Sequence, residues 1–133
     1  MIGIDTNVLV RYFTRDHEPQ AQRAAEILTQ RCSEKNPGFV TSIVLVELVW
    51  TLRSFYDYSR QEISMALEAL LKAKEICFEY PDETQSAYRL YAGGSVDFPD
   101  ALLGAIATAR GCEETVTFDG KAARLDGFIS ADE

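Results

Sequence analysis

At 133 residues with a formal net charge of −8, the chain is long enough for one domain with a buried core, and it lacks the basic surplus that drives non-specific nucleic-acid binding. Its 47% hydrophobic and 26% charged residues are the mix of an ordinary folded protein, which excludes disorder, and no apolar run reaches the ~20 residues of a membrane span. Scattered Cys32, Cys77 and Cys112, with His17 the single histidine, exclude a disulfide framework and a zinc site; lacking a secretory leader, the chain is expected to be a reduced, cytoplasmic protein.

In chain order, Met1 to Ile4 is a short apolar strand, and Val8 to Phe13 either continues it or begins a helical turn. Asp16 is positioned to cap a helix running to about Glu34, with Ala24, Ala25, Ile27 and Leu28 as its apolar stripe. Asn36-Pro-Gly38 is a turn before a strand at Phe39 to Thr41. Thr41 or Ser42 then caps the helix IVLVELVWTLRSFY. Ser59-Arg-Gln-Glu62 is a capping box for a third helix to about Lys74. A strand at Ile76 to Tyr80 is closed by Pro81-Asp82, and a helix from about Glu83 ends at Gly93-Gly94. Asp97 starts a helix ending near Arg110, with Gly111 beyond it. Thr115 to Phe118 is a strand, and Phe128-Ile129 a short last one. Alternation of this kind predicts an α/β fold with a mostly parallel sheet and helices on both faces, whose ligands sit beyond the carboxyl ends of the strands.

The acids recur at those ends. Asp5 follows the first strand, Glu47 lies just over one turn into the helix after the second, and Asp119 ends the strand Thr115 to Phe118. Asp97 and Asp100 open the helix that feeds that strand. Taken singly, Asp5, Asp97 and Asp119 read as well or better as turn and capping residues. Glu47, set among apolar residues on every helical face, is expected to be buried and in need of a partner: an arginine such as Arg11 or Arg53, or, better, a metal ion. Together, carboxylates that would repel one another in an empty site imply a divalent cation, and an all-oxygen donor set selects Mg²⁺ or Mn²⁺. Such acids count toward the net charge but would be neutralised in use. Arg11 and Arg15 follow the first acid, and Lys121 and Arg124 the last, where they are placed to contact a phosphate backbone.

DTNVLVRYF, TSIVLVELVWTLRSFYDYSRQEI and DFPDALLGAIATARGCEETVTFDGKAARLDGF, covering most of the chain, resemble the PIN-domain family, and within it the VapC-type toxins of toxin–antitoxin pairs. The resemblance implies a single PIN domain over 1–133, a Rossmann-like three-layer α/β/α sandwich. It further implies a Mg²⁺- or Mn²⁺-dependent endoribonuclease that hydrolyses RNA by metal-activated water. Carried over by motif, Asp5, Glu47, Asp100 and Asp119 match the catalytic, metal-holding acids, with Asn7 and Thr117 as supporting polar residues. Asp97 fits a frequent additional acid whose role as ligand or orienting group is left open. The implied partners are RNA, a small antitoxin protein and a second copy in a homodimer, with no membrane. Trp50, Phe55, Tyr56 and Tyr58 are candidates for the protein contacts, with core packing the competing reading.

Two rivals are weaker. A Mg²⁺-dependent phosphatase with an N-terminal strand-and-Asp start needs a second acid where Asn7 stands. A catalytically inactive domain that only binds RNA or protein is expected to have lost an acid from the set, and this chain keeps them all.

Overall fold

The computed structural model describes Met1 to Asp132, so the last residue of the expected 1–133 domain lies outside the described residues. The chain forms two compact units, one spanning Met1–Pro81 and a second from Asp82 onward.

In the first unit, β1 (Ile2–Gly3), β2 (Gly38–Val40) and β3 (Ile76–Phe78) form a parallel sheet in the order β1-β2-β3. The ambiguous run after Asp5 resolves as a helix, α1 (Thr6–Thr14), because Asp5 caps it and Leu9 and Val10 face the interior. It ends where Arg15 turns into the left-handed region at φ 53°.

α2 (Glu18–Glu26) is capped by His17, whose ring nitrogen accepts from the Gln20 amide, rather than by Asp16. Asp16 is taken elsewhere. Its carboxylate accepts from the Tyr56 hydroxyl at 2.5 Å, the Arg11 guanidinium at 2.7 Å and the Thr14 hydroxyl at 3.0 Å. Tyr56 first, and Arg11 next, hold its pKa down to about 2. α2 runs on through one wide π turn at Ile27–Arg31 and stops there, short of Glu34.

Thr41 caps α3 (Ser42–Tyr56), whose Val44, Leu45, Leu48, Val49 and Leu52 are buried. Both hydrogen bonds of the capping box form at the start of α4 (Arg60–Lys72): the Ser59 hydroxyl accepts from the Glu62 amide, and the Glu62 carboxylate from the Ser59 amide.

The second unit holds α5 (Pro81–Ala92), α6 (Phe98–Ala109) and the parallel pair β4 (Thr115–Thr117) and β5 (Phe128–Ser130), with a 3₁₀ turn at Ala122–Arg124 between the strands. Tyr91 and Phe98 meet edge to face at 6.1 Å and are fully buried. Among the described residues no helix is long and apolar enough to cross a membrane.

Gly104 fixes how closely α6 approaches β5. A Cβ there would lie 2.4 Å from Cε1 of Phe128, a buried ring that would have to shift. Gly104→Ala gains about 1 kcal/mol of helix propensity but meets an overpacking cost of about 1–3 kcal/mol, and the clash wins. The expected outcome is a Tm lowered by roughly 4 °C, read by thermal denaturation, and recovered when Phe128→Leu is added.

Candidate active site

In the first unit, Asp5 and Glu47 are joined through one residue between them in space, Thr6. The Asp5 Oδ1 accepts from the Thr6 amide at 2.7 Å, and the Thr6 hydroxyl donates to Glu47 Oε1 at 2.9 Å. The threonine of Asp5-Thr6-Asn7 was not singled out from sequence, where a residue flanked by an acid and an amide gives no sign of a partner 41 positions away. Each carboxylate keeps its second oxygen without a protein donor among the described residues.

The expected burial of Glu47 is corrected: it is exposed. The apolar surround in sequence splits in space. Val44, Leu45, Leu48 and Val49 turn inward, while Ile43 at 72% and Trp50 at 53% exposure share the open stripe with Glu47 at spacings of four and three. Desolvation therefore does not demand a partner for it. Arg11 does not pair with it, being held by Asp16.

In the second unit, three acids act on one another. Asp97 caps α6, its Oδ1 accepting from the Phe98 amide at 2.9 Å. Asp119 lies two residues past the end of β4, in the turn leading to the 3₁₀ segment, and accepts from the amides of Lys121 at 2.8 Å and Ala122 at 3.4 Å. Thr117 orients it, its hydroxyl accepting from the Asp119 amide at 3.0 Å. Asp97 is thus the helix cap, and Asp119 the turn residue, that the sequence suggests, whereas Asp5, read as a turn residue, caps α1 instead. Asp100 is different: half-buried in the first turn of α6, it accepts no hydrogen bond among the described residues. Its pKa is raised by burial first, then by the charges of Asp97 and Asp119.

Of the basic residues, Arg11 is paired with Asp16 and Arg15 with Glu18. Lys121 and Arg124 are exposed and have no ion pair among the described residues. Of the four aromatics, Trp50 and Phe55 meet edge to face at 5.3 Å with Phe55 70% exposed. Tyr56 and Tyr58 instead turn their hydroxyls to Asp16 and to the carbonyl of Phe13.

The sequence profile of the PIN domain matches residues 2–128. The chain belongs to the PIN-domain family. A VapC ribonuclease of Aquifex aeolicus (strain VF5) is 26% identical over 125 residues, which span 94% of this chain and 91% of that protein. The PIN domain is of the expected α/β class, and in each unit its strands pair in parallel, as a Rossmann-like fold requires.

Among the described residues of this PIN domain, no three Asp, Glu, His or Cys side chains close into a ready-made metal cage. The donors still fit a hard cation. They are all carboxylates, and Mg²⁺ commonly keeps several waters while taking one or two carboxylates from the protein. Asp100, crowded by two like charges and without a hydrogen-bond donor, is the group a cation would relieve most.

That crowding has a testable sign. With its folded pKa raised above the ordinary 3.8, Asp100 contributes stability below that value, and the contribution is lost as pH rises through the folded pKa. At pH 7 its charge is a cost. Asp100→Asn is expected to raise the Tm of metal-free protein at pH 7 and to leave it nearly unchanged at pH 3. Added Mg²⁺ should raise the Tm of the wild type more than that of the variant.

Proposed function

We propose that this PIN domain is a Mg²⁺- or Mn²⁺-dependent endoribonuclease, the toxin of a toxin–antitoxin pair, with Asp5, Glu47, Asp100 and Asp119 as its catalytic acids. The observation that carries the reading is Asp100, a half-buried carboxylate placed against Asp97 and Asp119 with no hydrogen bond of its own among the described residues. The positive end of α6 is all that favours it there, whereas every other acid of the set is held by a backbone amide or by the Thr6 hydroxyl. Similarity to a VapC ribonuclease along nearly the full chain points the same way. The profile match crosses the boundary of the two units, which favours one functional domain over 1–133.

In this reading the four acids would hold one or two divalent ions, with Asp97 as a further ligand or an orienting group. A divalent ion bound by them supplies Lewis acidity, lowering the pKa of water and offsetting charge that develops on the phosphate oxygens. The chain's own part is positioning. Thr6 fixes Glu47 while its amide fixes Asp5; Thr117 and the amides after Asp119 fix that acid, and Asn7 adds a carboxamide in the first turn of α1. Lys121 and Arg124 steer the phosphate backbone, with Arg11 and Arg15 contributing less because acids already hold them. No side chain acts as a covalent nucleophile.

The working protein in this reading is a cytoplasmic homodimer. Trp50 and Phe55 form an exposed aromatic pair fit to anchor a small antitoxin protein, and the net charge of −8 favours a basic segment in that partner.

Purified protein is expected to cut structured RNA with Mg²⁺ or Mn²⁺ and to stop with EDTA. Asp5→Asn and Asp100→Asn should each abolish cutting. Thr6→Val, which keeps the amide but loses the hydroxyl, should slow it roughly tenfold. Equal cutting by wild type and the Asn variants would assign the activity to a contaminant, and no cutting by folded, antitoxin-free protein on any RNA would favour a binding-only domain.

A further inference from the structure

Beside α1 and α2 lies a cavity of about 390 Å³, inside the roughly 300–1,000 Å³ range of small-ligand pockets. Val8, Ala24 and Ile27 give it an apolar lining; Asn7, Gln20, Arg11 and Arg23 give it a polar one. Its two positive charges are already matched, Arg11 by Asp16 and Arg23 by Glu26. A phosphate or carboxylate would gain little there, so the cavity suits a neutral ligand.

The polar groups narrow the choice. The guanidinium plane of Arg11 is pinned, its Nε donating to Gln20 Oε1 at 2.8 Å and its Nη1 to both Asp16 oxygens at 2.7 and 2.9 Å. A held guanidinium is a flat platform of the kind on which unstacked bases lie. With the Gln20 oxygen committed to Arg11, its NH₂ remains as a donor. The Asn7 carboxamide makes no hydrogen bond among the described residues and offers both donors and an acceptor. A flat face, apolar walls and two amides match the edge and surface of a nucleobase.

The first turn of α1 ties this cavity to the acids. Asp5 caps that turn, Thr6 reaches Glu47, and Asn7 lines the cavity. We infer that the cavity receives one unstacked base of the RNA substrate and sets base preference next to the cut. The inference deepens the ribonuclease reading and rests on it.

The test is to sequence the ends cut from a library of short single-stranded RNAs by wild type, Gln20→Ala and Gln20→Glu, with Tm confirming that each is folded. Gln20→Glu keeps the oxygen that Arg11 needs and replaces the NH₂ donor by a charged acceptor oxygen. The wild type is expected to show a base preference close to the cut, weakened roughly five- to tenfold in Gln20→Ala and altered in Gln20→Glu. A cutting wild type with no preference near the cut, or with one unchanged in both variants, overturns this inference and leaves the ribonuclease reading standing. A wild type that cuts no RNA overturns the ribonuclease reading, and this inference with it.

Discussion

Carboxylates brought near one another raise each other's pKa and oppose folding, so a chain that gathers them must hold them by other bonds. Here the holding bonds are backbone amides at the starts of helices and turns. Asp5 takes the Thr6 amide, Asp97 that of Phe98, and Asp119 those of Lys121 and Ala122. The positive end of each helix offsets part of the repulsion as well. Asp100 sits outside this scheme, with burial and two like charges against it and no amide in its favour. The same carboxylates are therefore caps and candidate ligands, and a capping role is no argument against a catalytic one.

Much of this was legible because it is written in local chemistry. The capping box at Ser59 and Glu62, the cap at Asp97 and the turn at Gly111, where φ is 96°, depend only on near neighbours. What was not legible depends on partners distant in sequence. Asp16 looks like a cap beside Glu18 and Pro19, but Tyr56, forty positions away, and Arg11 claim its oxygens, and His17 caps instead. Thr6 gives no sign of Glu47 for the same reason. Glu47 itself misled because a run of apolar residues says nothing about which of them turn outward. Ile43 and Trp50 do, and the acid goes with them.

The exposure of Glu47 changes the argument for it without removing it from the set. A buried acid would have needed a counter-charge; an exposed one held by a threonine hydroxyl is free to meet a cation or a substrate approaching from solvent. Its neighbours on α3, Ile43 and Trp50, are exposed, so the helix that presents the acid also presents an apolar surface.

The proposed nuclease stands or falls on whether Asp5 and Asp100 are each needed for divalent-metal binding. The most direct measurement is Mn²⁺ affinity by electron paramagnetic resonance for wild type, Asp5→Asn and Asp100→Asn at equal protein concentration. The account predicts that each substitution weakens Mn²⁺ binding by roughly 10- to 100-fold. Binding left unchanged by Asp5→Asn while lost in Asp100→Asn would contradict a metal-holding role for Asp5, and a wild type that binds no Mn²⁺ would contradict the metal site altogether.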